Sequence, residues 1–377
     1  MHQFRKSFAR SESLFKDVSG DPAEDRNDYW APLVISRERI DAEVDRLASM
    51  PRPANGRRET LIVHPQAPAH APGLAPGIEV KLSVLKPGER SEPFRHNATE
   101  VNFCIAGQGR VEVGGHVFDY ARYDVWNHPS WNTYVHSNAG ESLLVRLTYS
   151  NAPLLKNMQV YLPQDSPAQE AATVHDPAVA ADPRRKSPFG MIAVPGGGTL
   201  MPYETLINPV PVQSLPLLFR WNEVKLELDK LMALGKEYVG RRLYMLYNPI
   251  TGRVNGITPN FFATMTIRPP KIVDKPHRHV SAAINYYFHG SGYSQVAGNR
   301  YDWKAGDLML SAPGWAVHNH ASDDVEQVYE LTVQDQPLNI FMESLLWQED
   351  LHHPAALLGT QSGFSTNRST VAAEAAA

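Results

Sequence analysis

The two halves of the chain share residues at a nearly constant spacing. At a spacing of 184 positions, the first members of the matching pairs are Asp45, Leu47, Gly56, Arg57, Arg58, Pro65, Pro129 and Trp131. At a spacing of 183 positions, they are His96, Gly107, Gly109 and Asp124. The register slips by only one residue, so the sequence predicts a tandem duplication in which each half is a helix followed by a β-domain.

Short runs rich in Val, Tyr, Phe and Thr, separated by many of the 30 prolines and 25 glycines, predict an all-β fold of sandwich or barrel type. The clearest strand candidates are Ile78–Leu85, Gly109–Tyr120, Ser142–Tyr149, Phe261–Ile267 and Ala282–Gly290. Apolar residues spaced three and four apart predict helices over Glu38–Met50 and Asn222–Lys236, and a closing helix is expected over Asn339–Gln348.

The expected domain organisation follows the repeat. Residues 1–60 should form an N-terminal helical extension and 61–163 a first barrel, with a linker and helix over 164–240. Residues 241–350 should form a second barrel, and 351–377 a disordered tail.

Composition excludes several classes of protein. A formal net charge of -4 argues against a nucleic-acid-binding surface, and no apolar run approaches the roughly 20 residues needed to span a bilayer. A single cysteine, Cys104, rules out an intramolecular disulfide framework and suits a reducing, cytoplasmic compartment. Cys104 lies in an apolar stretch and is expected to be a buried, inert thiol.

Three histidines of the second half form a candidate metal site. His277 and His279 are two positions apart, so on a strand both side chains point to the same face. His318 follows about forty residues later, after a Pro-Gly-Trp turn, on a strand that a barrel could return beside the first. Ala283 occupies the position that commonly supplies a carboxylate ligand.

Three imidazoles on one side of a metal leave its other positions open. Such a set suits Fe(II), Mn(II), Co(II) or Zn(II), and ligand identity alone does not choose among them. The alternative is that His277 and His279 are structural residues on one strand face.

The chain resembles the cupin superfamily, and within it the bicupin gentisate 1,2-dioxygenase family, which includes salicylate and 1-hydroxy-2-naphthoate dioxygenases. The segments that carry this resemblance are the triplet His277–His279, the ending Pro313–His320, the lead-in Arg241–Gly252, and the segments Leu331–Leu345 and Leu143–Tyr161. The resemblance covers most of residues 30–350 and implies two cupin barrels, which are double-stranded β-helices of jelly-roll type.

The resemblance also implies a function. Members of this family hold Fe(II) with three histidines, which match His277, His279 and His318. They use O2 to cleave the ring of a hydroxylated aromatic acid that chelates the iron through a phenolic oxygen and a carboxylate. They generally form dimers or tetramers.

Other family roles fall on residues near the ligands. His320 matches a histidine that hydrogen-bonds substrate or oxygen, and its alternative is a surface polar residue. Arg241 or Arg242 matches the arginine that binds the substrate carboxylate, and the alternative for either is a salt bridge to the preceding helix. Phe262 and Trp315 could wall an aromatic pocket, or belong to the core.

Two positions depart from the family pattern. Asn285 stands where a second arginine is usual, and Thr266 stands where a glutamine is frequent. Both changes favour an aromatic substrate whose extra group differs in charge from those of gentisate or salicylate, such as an amino, amido or ketone group. The family usually carries its iron in the N-terminal barrel, whereas the complete histidine set is here C-terminal.

The first half lacks the histidine pair. Phe94 replaces the first ligand and His96 remains, with Glu100 where many cupins place a carboxylate ligand. An ungapped count puts Tyr134 at the position of His318, whereas another alignment puts His136 there. We prefer the ungapped count and expect a degenerate site.

Two other classes of function stay open at this point. One is a cupin isomerase, decarboxylase or hydrolase that uses Mn(II) or Zn(II) at the same three histidines. The other is a non-enzymatic cupin that binds a small molecule or a metal.

Overall fold

The computed structural model describes residues 29–167, 190–203, 214–235 and 238–357, together with Phe15, Asp17, Ser19 and Gly20. Within these residues, no helix combines the length and apolar character needed to cross a membrane.

Short strands dominate both halves. In the first half the elements are β1 (Leu33–Ile35), α1 (Arg37–Ser49), β2 (Arg58–Ile62), β3 (Glu79–Leu85), β4 (Phe94–His96), β5 (Glu100–Ala106), β6 (Gln108–Val113), β7 (His116–Ala121), β8 (Val125–His128), β9 (Tyr134–Ser137), β10 (Leu144–Ser150), α2 (Ala152–Asn157) and β11 (Pro163–Asp165). Next come β12 (Ile192–Ala193), β13 (Thr199–Leu200), β14 (Leu218–Phe219), α3 (Trp221–Met232), β15 (Leu243–Met245), a 3₁₀ helix (Pro249–Val254) and β16 (Phe262–Arg268). The remaining elements are β17 (Arg278–His279), β18 (Ala282–His289), β19 (Ser291–Val296), β20 (Asn299–Lys304), β21 (Leu308–Pro313), β22 (His318–Ser322), β23 (Val328–Gln334), α4 (Gln336–Phe341), β24 (Leu346–Gln348) and β25 (Ala356–Leu357).

The strands build two antiparallel barrels. The first combines the sheet β14-β8-β5-β10-β3-β2 with the sheet β11-β4-β9-β6-β7. The second combines the sheet β1-β21-β18-β23-β16-β15 with the smaller sheets β20-β19-β22 and β17-β24-β25. The predicted all-β tandem barrel with a few peripheral helices is therefore confirmed, as are the two predicted helices at α1 and α3.

Each half contributes a short strand to a sheet of the other, and the start of a helix in each half is held by a hydrogen bond to the other half. β1 precedes the first barrel but pairs with β21 of the second, and β14 pairs back with β8 of the first. The backbone N–H of Arg37, at the start of α1, donates to Asp307 Oδ1 at 2.7 Å, and that of Trp221, at the start of α3, donates to Asp124 Oδ1 at 2.7 Å. Each aspartate satisfies a backbone donor that a helix start leaves unpaired, which explains why both recur in the repeat.

One continuous core joins the barrels. The ring of Phe103 in the first barrel lies 5.6 Å from that of Tyr286 and 5.7 Å from that of Phe288 in the second. Cys104 is fully buried, and burial raises the pKa of its thiol to about 12. The thiol is therefore protonated at neutral pH, as expected for an inert core residue.

The end of the chain departs from the prediction. The predicted helix over Asn339–Gln348 is wrong in its second part, because α4 ends at Phe341 and Leu346–Gln348 form β24. Glu343 has a left-handed backbone with φ 55°, which an α-helix cannot continue through. Of residues 351–357, expected in a disordered tail, Ala356–Leu357 form β25, which pairs with β24, and residues 358–377 lie outside the described part.

Candidate metal centre

The second barrel brings the three predicted histidines together. His277 and His318 face each other across an antiparallel bridge, in which each backbone N–H donates to the other residue's carbonyl at 3.0 and 2.9 Å. His279 follows on β17, with its side chain on the same face as that of His277. One nitrogen from each ring lies within 4.8 Å of the other two.

Each ring is held so that one particular nitrogen stays available. The Nδ1 atoms of the three histidines lie within hydrogen-bond distance of backbone carbonyls, which are those of Lys275 (3.1 Å), Ser281 (2.9 Å) and Ala316 (2.9 Å). A carbonyl only accepts, so Nδ1 carries the proton and the lone pair of Nε2 is left for a metal. Burial lowers the pKa of all three rings, that of His318 to about 4, and so keeps them neutral. This donor set fits a borderline divalent metal ion.

Trp347 is a part of the site that sequence reasoning missed. Its ring stacks at 24° on the rings of His277 and His279, with centroids 5.7 and 4.9 Å away. The pairing of His279 with Trp347 between β17 and β24 places it there. The sequence places Trp347 in the predicted closing helix, because a strand of only three residues is too short to show an alternating pattern.

The histidines line a cavity of about 1310 Å³. This exceeds the range of about 300–1000 Å³ that is usual for small-molecule sites, so a substituted benzene ring fits inside. Phe262, Thr266 and Asn285, all predicted to contact substrate, also line it, as does the segment 347–354. Trp315 is not among the lining residues, and its ring instead lies under the guanidinium of Arg278 at 4.4 Å.

The two candidate arginines have different roles. Arg242 donates to the carbonyls of Leu231 and Gly235 at 3.1 and 2.5 Å, and so binds the C-terminal end of α3. Arg58 does the same in the first half, because its Nε donates to the carbonyl of Met50 at 3.0 Å. The expected alternative was a salt bridge to the preceding helix; Arg242 does contact that helix, but through backbone carbonyls instead of a carboxylate. Arg241 lies at the metal site.

His320 lies beyond the ligands on β22 and is 9% exposed. Its Nδ1 is 2.8 Å from Ser294 Oγ, which itself accepts a hydrogen bond from Trp303 Nε1 at 3.0 Å. Ser294 can therefore donate its own proton to His320 Nδ1, and this tautomer carries its N–H at Nε2. His320 thus adds a hydrogen-bond donor to the cavity wall.

Behind the histidines the barrel interior is polar. Asn285 donates to Thr332 Oγ1 at 2.8 Å and accepts from Ser311 at 2.5 Å. Deeper in the barrel the charge of Arg268 is fully paired, since it binds Glu330 through two contacts of 3.2 and 3.3 Å and Asp274 at 2.9 Å. Sequence reasoning missed this pair, although a glutamate within the apolar run 328–333 is a signal that could have found it.

Comparison with known proteins supports a cupin fold. Residues 81–149 match the family model described as a cupin domain, and residues 267–373 match an AraC-like ligand-binding domain. A 5-nitrosalicylic acid 1,2-dioxygenase of Bradyrhizobium sp is 26% identical over 133 residues, which are 34% of this chain and 61% of the relative. A gentisate 1,2-dioxygenase of Haloferax sp is 30% identical over 77 residues, which are 20% of this chain and 21% of the relative. The matches thus span less than two thirds of each relative.

The fold has close counterparts among solved structures. The salicylate 1,2-dioxygenase of Pseudaminobacter salicylatoxidans superimposes with a TM-score of 0.71 at 16% identity, over 89% of this chain and 93% of that one. The chain is therefore a bicupin, with two cupin barrels in the fold of that enzyme. A variant of the salicylate enzyme in complex with gentisate superimposes on the bicupin with a TM-score of 0.66 at 16% identity, over 85% of this chain and 86% of that one.

The equivalent position in the first barrel of the bicupin has a different set of residues. Phe94 pairs with Tyr134 in the register in which His277 pairs with His318, which agrees with the ungapped count. Glu100 binds His96 at 2.9 Å. It also binds His128 at 2.8 Å, whereas His136 contacts Arg146 at 2.9 Å. Of the described residues, only the three histidines of the second barrel form a group that could hold a metal.

Proposed function

We propose that the bicupin is an Fe(II)-dependent dioxygenase that cleaves the ring of a salicylate-like aromatic acid with O2, at a single site in the C-terminal barrel. The observation that carries the proposal is the set of three buried imidazoles that present Nε2 into a cavity large enough for a substituted ring. The activities of the relatives, on 5-nitrosalicylic acid and gentisate, support the substrate class.

Iron at this site would bring a chelating phenol-carboxylate and O2 together and let electrons pass between them. The protein's own residues fix the geometry. The backbone carbonyls orient the three ligand rings, and Trp347 packs over two of them. The Nε2–H of His320 offers a hydrogen bond to the substrate or to O2.

The interior of the barrel favours an uncharged ring substituent. Asn285, Thr266 and Thr332 offer hydroxyl and amide groups, and Arg268 is neutralised by Glu330. A hydroxyl, amino or nitro group finds partners here, whereas a second carboxylate meets no unpaired cation among these residues and would be costly to desolvate.

Arg241 is the residue that we assign to the substrate carboxylate, because Arg242 is engaged by α3. We expect Arg241→Gln to weaken salicylate binding to the Zn(II)-loaded protein about 10- to 100-fold, the equivalent of one lost charged hydrogen bond. Calorimetric titration measures this, and Arg57→Gln, at the same position of the first barrel, is the matched control. Equal weakening by both substitutions would show that the effect does not come from the metal site.

The activity itself is tested by an oxygen-electrode screen of the Fe(II)-loaded bicupin. Substituted salicylates, gentisates and aminophenols are compared, and at least one should be consumed together with O2. Turnover without O2 in the Mn(II)- or Zn(II)-loaded protein would favour an isomerase, decarboxylase or hydrolase. Binding without turnover would favour a non-enzymatic cupin. The cytoplasmic location and the dimeric or tetrameric assembly stay predictions.

A further inference from the structure

Both barrels carry an arginine and an acid at equivalent places beside their ligand strands. Asp165 at the end of β11 pairs with Phe94 on β4. In the second barrel Gln348 pairs with Arg278, which places the next residue, Glu349, beside His277. Glu349 follows Asp165 by 184 positions, as Arg241 follows Arg57. The arginine–acid pair is therefore a part of the duplicated unit.

The two pairs differ in how tightly they close. Arg57 contacts Asp165 directly, and its guanidinium lies 4.2 Å from the ring of Phe94. Arg241 and Glu349 are 3.6 Å apart, and Arg241 also reaches Nε2 of His277 at 3.1 Å. The side chain of Arg57 is 10% exposed and that of Arg241 is 33% exposed. Where histidine replaces phenylalanine, the pair has loosened and faces the cavity.

His277 Nε2 cannot both hold a metal and accept a hydrogen bond from Arg241. In the metal-loaded protein this contact is lost, and Glu349 is a carboxylate that already lies 3.6 Å from Arg241. Glu349 is itself fixed, because Trp347 Nε1 donates to its Oε2 at 3.1 Å. Any carboxylate that binds Arg241 therefore competes with Glu349 and is repelled by its charge.

We propose that Glu349 is a specificity-determining counter-ion, which the substrate carboxylate displaces from Arg241. The proposal rests on the proposed function, since it takes Arg241 as the carboxylate-binding residue. A carboxylate that binds only Arg241 exchanges one ion pair for another and gains little free energy of binding. Glu349 thereby lowers the affinity for an aromatic acid relative to its uncharged analogue, and an acid that also binds the metal through its phenolic oxygen can still displace it.

The test is Glu349→Gln in the Zn(II)-loaded, full-length protein, titrated calorimetrically with salicylate and with its uncharged analogue salicylamide. Glutamine can still accept the hydrogen bond of Trp347 but carries no charge. We expect the Kd for salicylate to fall up to about fivefold, as for the loss of a competing, partly exposed ion pair. The Kd for salicylamide should not change. Asp165→Asn in the first barrel is the matched control and should alter neither constant.

Three results would overturn the inference: an equal change for salicylamide, a salicylate Kd that is unchanged or higher in the Glu349→Gln protein, or no salicylate binding by the unchanged protein. Oxygen uptake reports separately on the proposed function. If salicylate binding responds to Glu349→Gln as expected and no aromatic is ever oxidised, the counter-ion role stands and the dioxygenase proposal fails.

Discussion

The His277→Ala protein is expected to bind iron and zinc at least about 100-fold more weakly than the unchanged bicupin. Loss of a residue that merely supports a ligand costs about 10- to 100-fold in metal affinity, and His277 is placed as a ligand itself. The remaining His279 and His318 would hold the ion with two nitrogens. The measurement is metal content after anaerobic loading and desalting, together with competition against a chelator of known affinity.

The duplication supplies the control for this experiment. Phe94→Ala changes the same position of the first barrel, where the facing residue is Tyr134 instead of His318. Its metal content should equal that of the unchanged protein. If Phe94→Ala lowered metal content more than His277→Ala, the metal site would have been assigned to the wrong barrel.

Glu330→Ala is expected to destabilise the second barrel by about 3–5 kcal/mol, the usual result of removing one partner of a buried ion pair. The side chains of Arg268 and Glu330 are 5% and 4% exposed, so the substitution leaves a guanidinium in the barrel interior. Asp274, 2.9 Å from Arg268, compensates only in part because its side chain is 24% exposed. Since two barrels need not unfold together, thermal and urea unfolding should be followed by more than one probe.

Two further variants separate burial from charge. Asp302→Ala breaks the ion pair between Arg300 and Asp302, whose side chains are 55% and 71% exposed. The loss in the free energy of unfolding should stay below about 1 kcal/mol. Replacing Arg268 and Glu330 together by Met and Leu should recover much of the lost stability, since no buried charge is then left unpaired. A Glu330→Ala protein as stable as the Asp302→Ala protein would show that water reaches Arg268.

The metal ligands could be predicted because local rules place them. Side chains two apart on a strand share a face, which brings His277 and His279 together, and the duplication shows which half kept them. Trp347 could not be found in this way, and Glu349, although it follows Asp165 by 184 positions, gave no sign of lying beside the histidines. They reach the site only through the pairing of β24 with β17, a contact across about seventy residues that leaves no pattern in either short strand.

The choice between Arg241 and Arg242 shows the same limit. Neighbouring residues in an extended segment point to opposite sides, so the two arginines have different surroundings. The sequence leaves open which of them meets the substrate and which contacts the preceding helix. The pairing of Leu243 with Thr266 sets the register of the lead-in strand, and only with that register is Arg242 directed at α3. The turn at Trp315 gives no indication of which way its side chain points, and its ring lies under the guanidinium of Arg278.

Iron-dependent ring cleavage is measured by oxygen consumption in the Fe(II)-loaded bicupin with salicylates that carry an uncharged 5-substituent, with the Zn(II)-loaded protein as control. We expect one O2 to disappear for each aromatic consumed with Fe(II), and none with Zn(II). If no aromatic caused oxygen uptake and the Zn(II)-loaded protein turned over any substrate, the bicupin would not be a dioxygenase.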